Sequence, residues 1–467
     1  MPTRTASVSA VPGPPFLAQP VAYDVTALGY TNDEFFLEGT ARSYAGPVSE
    51  APFRTRAIVR RPVDAARWNG SVLVEWFNVS GGLDAAPDWS FLHRHILRAG
   101  FAYVGVSVQS VGVEGGGFAA IQLPLKKVNP ERYGSLTHPG DAFAYDLFSQ
   151  VGRAIREGHL LGGLVPKRVL AVGESQSAMF LVTYVNAVDL DARAYDGFLI
   201  HGRGGMGAPL DGSSIIRQPI TERAAAVSSG RGASFLGGTD RIRDDVRVPV
   251  LTVQSETDVL GLGSASARQD DAPRFRLWEV AGAAHADTYL LVASGGDDGQ
   301  RTPAELARLM APTDSAFGLK MDSPMNSGPQ QHYVLQAALD HLDRWAAGGA
   351  PPPSASRLEL RNAADGAATF ALDEQGNVRG GVRTPWVDAP SAVLSGLGQS
   401  GAEFAFLFGT TRPLAAAARA RLYPGGRADY LARFRKATDD AVGAGFLLDV
   451  DRDEILGLAA HEPWPES

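Results

Sequence analysis

Residues 168–182 read Arg-Val-Leu-Ala-Val-Gly-Glu-Ser-Gln-Ser-Ala-Met-Phe-Leu-Val, and they restrict the fold of this chain more than any other stretch. The first half is an apolar, β-branched run of strand type. The second carries Met179, Phe180 and Val182 in a helix-like run, and small residues flank one serine between the two. A buried strand that turns at once into a helix holds the residue at its apex, here Ser175, in an exposed and strained position. The backbone wants no bulk two positions before that apex (Gly173) or two after it (Ser177). Glycine is usual at both places, so Ser177 is a departure. A G-x-S-x-[GS] pentamer also arises by chance as a surface turn, and the flanking strand and helix are what favour the elbow.

The chain around the elbow alternates strands and helices. Strand-like pieces at Val21–Val25, Glu34–Ser43 and Thr55–Val59 suggest an antiparallel entry to a sheet. Ser71–Phe77 is a stronger strand and runs into the loop Asn78-Val-Ser-Gly-Gly-Leu-Asp84. A helix capped by Asp88 follows, with Trp89, Leu92 and Ile96 on one face and Gly100 closing it. Phe101–Val108, Tyr195–His201, Val248–Val253 and Phe275–Val280 are apolar runs of the kind buried on both faces of a parallel sheet. Helices are expected from Asp141, with Phe143, Leu147, Val151 and Ile155 on one stripe, and over Pro329–Ala347. This rhythm predicts an α/β fold with a mostly parallel, doubly wound sheet.

Residues 1–20 read as an N-terminal arm, 21–350 as the core, and 351–467, after Pro351-Pro-Pro353, as a C-terminal extension packing on it. Two long insertions break the rhythm: 202–247, read as a lid, and 286–328. Gly202-Arg-Gly-Gly-Met-Gly207 satisfies a dinucleotide-loop pattern, but Ala208-Pro209 follows where a helix should open, so it reads as the floor of the lid.

Composition removes competing chemistries. No cysteine is present, which excludes a thiol nucleophile, disulfides and cysteine-bound zinc. A net charge of -8 disfavours a nucleic-acid surface. No run approaches a membrane span, no apolar leader is seen, and a cytoplasmic protein without cofactor or metal is expected.

A serine hydroxyl becomes a nucleophile only when a base takes its proton and an acid orients that base. In a doubly wound sheet the three follow in the order serine, acid, histidine, each in a loop after a strand. Asp258, after Val248–Val253, and His285, after Phe275–Val280, complete that order with Ser175. Glu256 competes for the acid role, with Asp258 preferred. His201 is the rival base, but it precedes the acid. An oxyanion needs two preorganised donors. These would be the amide of Gln176 and that of Val79 or Ser80. Trp76, Trp89 and Trp386 are candidate lining residues of an apolar pocket.

Together the elbow Gly173–Ser177, Glu75-Trp-Phe-Asn-Val-Ser-Gly-Gly82, Arg132–Leu136, His138-Pro-Gly-Asp141, Thr257-Asp258 and Gly380–Trp386 resemble the α/β-hydrolase superfamily. The resemblance is closer to a bacterial branch labelled only as α/β hydrolase domain-containing. It implies a serine hydrolase of carboxylic esters acting on a small-molecule substrate. Amidase, thioesterase and acyltransferase activity share the same acyl-enzyme and stay open, as does a catalytically dead binding protein. Homo-oligomerisation is left open too.

Overall fold

The computed structural model describes residues 4–17, 21–117, 119, 122–215, 238–362 and 366–464. Its frame is built from β1 (Ser7–Val11), β2 (Asp33–Arg42), β3 (Glu50–Arg60), β4 (Ser71–Trp76), β5 (Ala102–Val106), β6 (Arg168–Glu174), β7 (Gly197–His201), β8 (Val250–Gln254) and β9 (Phe275–Glu279). These form one nine-stranded sheet in the order β1-β2-β3-β5-β4-β6-β7-β8-β9. From β5 across to β9 all neighbours are parallel, and β1 to β3 attach antiparallel at one side.

Side-chain alternation explains why helices cover both faces. Val72, Val74 and Trp76 of β4 face one cluster with Val169 and Ala171 of β6 and Phe198 and Ile200 of β7. The helices Ala144–Arg156 and Gln176–Ala187 cover that side through Leu147, Phe148, Val151, Met179 and Phe180. Leu73, Leu170, Val172, Leu199 and Leu251 point the other way, onto Trp89, Leu92 and Ile96 of helix Pro87–Ala99 and Val334, Ala338 and Leu342 of helix Gln330–Ala346. The elbow helix Gln176–Ala187 is apolar nearly all round. It has a second apolar neighbour, because Ala208, Ile215 and Ile242 join its cluster from the ends of the segment 202–247. Residues 216–237 of that segment, read above as a lid, lie outside the described residues.

The structure corrects several local expectations. Ser7–Val11, inside the expected arm, pairs antiparallel with Glu34–Glu38 as an edge strand. The open edge of β2 supplies the partners that the arm's short sequence could not reveal. No strand forms over Val21–Val25. Asp88 does not cap its helix: Pro87 opens it, and Glu75 on β4 accepts from the amides of Asp88 (3.0 Å) and Trp89 (2.8 Å). A sheet carboxylate thus satisfies the helix's first amides and releases Asp88 for another partner.

Residues after the Pro351–Pro353 linker share the core of the sheet. Tyr430, Phe434 and Ile455, on the helices Gly426–Gly443 and Arg452–Ala460, lie in the same cluster as Leu335 and Leu339. Arg94 on Pro87–Ala99 pairs with Glu454 at 2.5 Å, and Val382 bridges in parallel to Val280 just beyond β9. Among the described residues no helix is long and apolar enough to cross a membrane.

Candidate active site

The chain leaves β4 and crosses to β5 on one side, then returns past β4 to β6 on the other. That reversal opens a crevice at the carboxyl ends of β4 and β6, where sites in such sheets form. Ser175 stands at the end of β6 with φ 60° and ψ -117°, a region that costs a non-glycine residue about 1–3 kcal/mol. Surrounding structure holds it there. The Ser175 amide donates to the His201 carbonyl on the neighbouring strand at 2.9 Å. At Gly173 a Cβ would sit 3.0 Å from the Cβ of Ser177 and 3.1 Å from Leu181, so bulk is refused. Ser177 is more than a small residue: its buried hydroxyl donates to the Phe77 carbonyl at 3.2 Å and ties the elbow to the loop after β4.

That loop is pinned at both ends. Asn78 donates through Nδ2 to the Glu174 carbonyl (3.0 Å) and to Glu174 Oε2 (3.1 Å). Asp84 reaches a guanidinium nitrogen of buried Arg56 at 3.0 Å. Between them the Ser80 amide is already committed to Asn78 Oδ1 at 2.8 Å. The Val79 amide donates to no acceptor among the described residues. The Gln176 amide opens a helix and is one of its unfilled donors. Of the two loop donors considered from sequence, Val79 is therefore the open one.

His285 comes over the elbow from the loop after β9. Its Nε2 lies 2.9 Å from Ser175 Oγ, and its Nδ1 lies 2.5 Å from Asp258 Oδ1. Asp258 is fixed in turn by the Ser255 amide at 2.6 Å from its other oxygen. Glu256, two residues away, faces the opposite direction. Its oxygens accept from the amides of Gly282 (2.6 Å) and Gly396 (2.8 Å), so it clamps the histidine loop to the C-terminal extension. Thr257 joins that clamp, donating to the Gly396 carbonyl at 2.5 Å and accepting from the His285 amide at 3.1 Å. His201, the rival base, has its Nδ1 at 3.0 Å from Asp88 Oδ1. Burial pushes the His201 imidazole down to about 4, so it stays neutral.

Residues 2–457 match the sequence model of a family described as the alpha/beta hydrolase domain. The chain belongs to that family. No curated protein matches it. Among solved structures it is similar to a thermostable esterase from Pseudomonas putida, at 14% identity over 53% of this chain and 70% of that one, with a TM-score of 0.30. A glucuronoyl esterase from Solibacter usitatus aligns at 12% identity over 60% and 83% of the two chains, with a TM-score of 0.29. An α/β serine hydrolase without a lid from Xanthomonas campestris aligns at 12% over 52% and 83%, with a TM-score of 0.28. Likenesses this distant decide nothing further about the chain.

Two contacts in this alpha/beta hydrolase domain had no counterpart in the sequence reading. Glu174, the residue before the elbow serine, brings Oε1 to 2.8 Å from His285 Nε2. Its place inside the pentamer was the only available signal. Gly202, the first glycine of the dinucleotide decoy, lies against the imidazole: a Cβ there would sit 3.2 Å from Cε1 and Nδ1 of His285, at a φ of +64°. In a hydrolase that works through His285, Gly202→Ala should therefore displace the ring and lower turnover by up to about 10²-fold, the cost of a reacting group misplaced by about 1 Å. Steady-state kinetics beside a circular dichroism spectrum would check this. Unchanged kcat would show that the ring yields without consequence.

The three tryptophans do not line a common crevice at Ser175. Trp76 is fully buried among Tyr145, Phe148 and Phe180, and Trp89 is buried with its indole N–H on Tyr23 at 3.1 Å. Trp386 stacks on Tyr333 and lines a separate cavity with Met310, Leu394 and Tyr430. Sequence spacing marked them as large and apolar, which fits core and pocket equally. Among the described residues, no group of three or more His, Asp or Glu side chains is placed to hold a metal ion.

Proposed function

We propose that this alpha/beta hydrolase domain cleaves carboxylic esters through an acyl-enzyme on Ser175. The observation that carries this reading is the continuous chain from Ser175 Oγ through the two ring nitrogens of His285 to Asp258. His285 Nε2 takes the hydroxyl proton as Oγ attacks the ester carbonyl. Asp258 holds the Nδ1–H tautomer and stabilises the imidazolium that results. The tetrahedral oxyanion settles between the amides of Gln176 and Val79, two donors not consumed by the fold. The imidazolium then gives its proton to the departing alcohol. Water, deprotonated by the same imidazole, releases the acid and restores Ser175.

The C-terminal segment 351–467 serves here as a brace for the acid and histidine loops, acting through Gly396. Incubation with a fluorophosphonate probe followed by peptide mapping tests the reading. Modification at Ser175 alone is expected, and a protein that stays unlabelled under all conditions would be a binding protein on a hydrolase frame.

A further inference from the structure

The residue before the nucleophile has an unusual position for a carboxylate. Glu174 is 5% exposed, its Oε1 is 2.8 Å from His285 Nε2, and its Oε2 is held by Asn78 Nδ2 at 3.1 Å. Nε2 is the nitrogen that must offer a lone pair to Ser175. A carboxylate oxygen pressed against that lone pair is repelled, whereas against an N–H it is attracted. With Asp258 on Nδ1, the ring stands between two carboxylates and both edges favour the protonated form.

We infer that Glu174 is a positioning residue which, with Asp258, holds His285 as an imidazolium in the resting protein, so that the base is released only in alkaline solution. The inference rests on the hydrolase reading of Ser175. The proton on Nε2 must leave for solvent before the same nitrogen can accept the proton of Ser175 Oγ. Once it has left, Glu174 favours the imidazolium that re-forms as Oγ attacks, so the carboxylate sets the working pH and supports the chemical step together.

The surrounding groups agree. Burial alone would lower the His285 imidazole, but Glu174 and Asp258 push it up to about 10. Behind them lies His201 at the end of β7, kept neutral by burial, and Asp88 on the helix Pro87–Ala99, whose carboxyl burial and Glu174 push well above its ordinary range. Glu256 is turned away onto Gly282 and Gly396. Asp287, in the histidine's own loop, accepts from the Leu290 amide. From Gln330–Ala346 come Gln331, on the His285 carbonyl, and His332, which burial keeps uncharged. From the C-terminal segment the Leu407 carbonyl approaches the histidine loop, accepting from the Ala286 amide. None of these supplies a cation to cancel the two carboxylates.

The test uses the full chain with 15N-labelled histidine. The His285 ring is followed by NMR against pH, and kcat/KM for p-nitrophenyl acetate is measured over the same range. In the wild-type protein both midpoints are expected in the alkaline range. In Glu174→Gln both should fall by about one to three pH units, the reach of one neighbouring charge, with a lower plateau rate. Glu174→Asp, whose shorter carboxylate withdraws from Nε2, should lie between them. A wild-type ring that titrates in the ordinary imidazole range overturns the inference even if Glu174→Gln fails to fold. So does an unmoved midpoint in a folded Gln variant. Absence of fluorophosphonate labelling at every pH would instead defeat the hydrolase reading, while the NMR titration still decides the role of Glu174.

Discussion

Ser175→Ala is expected to lower p-nitrophenyl ester turnover on the order of 10⁶-fold, the loss seen when a triad serine is removed. The size follows from the proposed mechanism. Without Oγ no acyl-enzyme forms, and only the oxyanion donors remain to favour direct attack by water. Stability should barely change. Oγ hydrogen-bonds only to His285 among the described residues, and alanine inherits the same strained backbone that serine already occupies. The measurement is turnover beside a thermal melt. A folded variant that keeps its rate would move the nucleophile elsewhere in the chain.

The second large effect separates two neighbouring acids. Asp258→Asn should cost about 10⁴-fold in kcat, because an amide in place of the carboxylate favours the wrong imidazole tautomer. Glu256→Gln should leave kcat close to wild type and lower the melting temperature. One of its oxygens becomes an NH₂ group facing the Gly282 or Gly396 amide, and an unsatisfied buried donor costs about 1–3 kcal/mol. Burial pushes the Glu256 carboxyl up to about 7, against the Gly396 and Gly282 amides that favour its charged form. The reverse pattern, with Glu256→Gln inactive and Asp258→Asn active, would exchange the two roles.

The parallel strands were legible because a strand buried on both faces leaves an unbroken apolar run, as at Val250–Gln254. Once those strands are parallel, their following loops share one rim of the sheet, and Ser175, Asp258 and His285 fall there by order alone. The edge strand Ser7–Val11 was not legible: its residues are small and its stability comes from β2, a partner chosen by the fold. The helix cap at Asp88 was misread for a similar reason. A carboxylate close in sequence was expected to fill the amides, and Glu75 filled them from across the sheet.

Amino-acid order by itself determined the alternation of strands and helices, the elbow and the order in which Ser175, Asp258 and His285 arrive at one rim of the sheet. Each of these depends on local periodicity or chain direction. Tertiary structure alone decided which carboxylate faces His285, which loop amide is left open, and that Glu174 and Gly202 press on the imidazole. Most of those outcomes depend on distances of about 3 Å between residues far apart in the chain, and a hydrogen bond distinguishes partners at that range by direction as well as type. Glu256 and Asp258 are chemically alike and two positions apart. Only the turn that aims one at the imidazole and the other at Gly396 tells them apart.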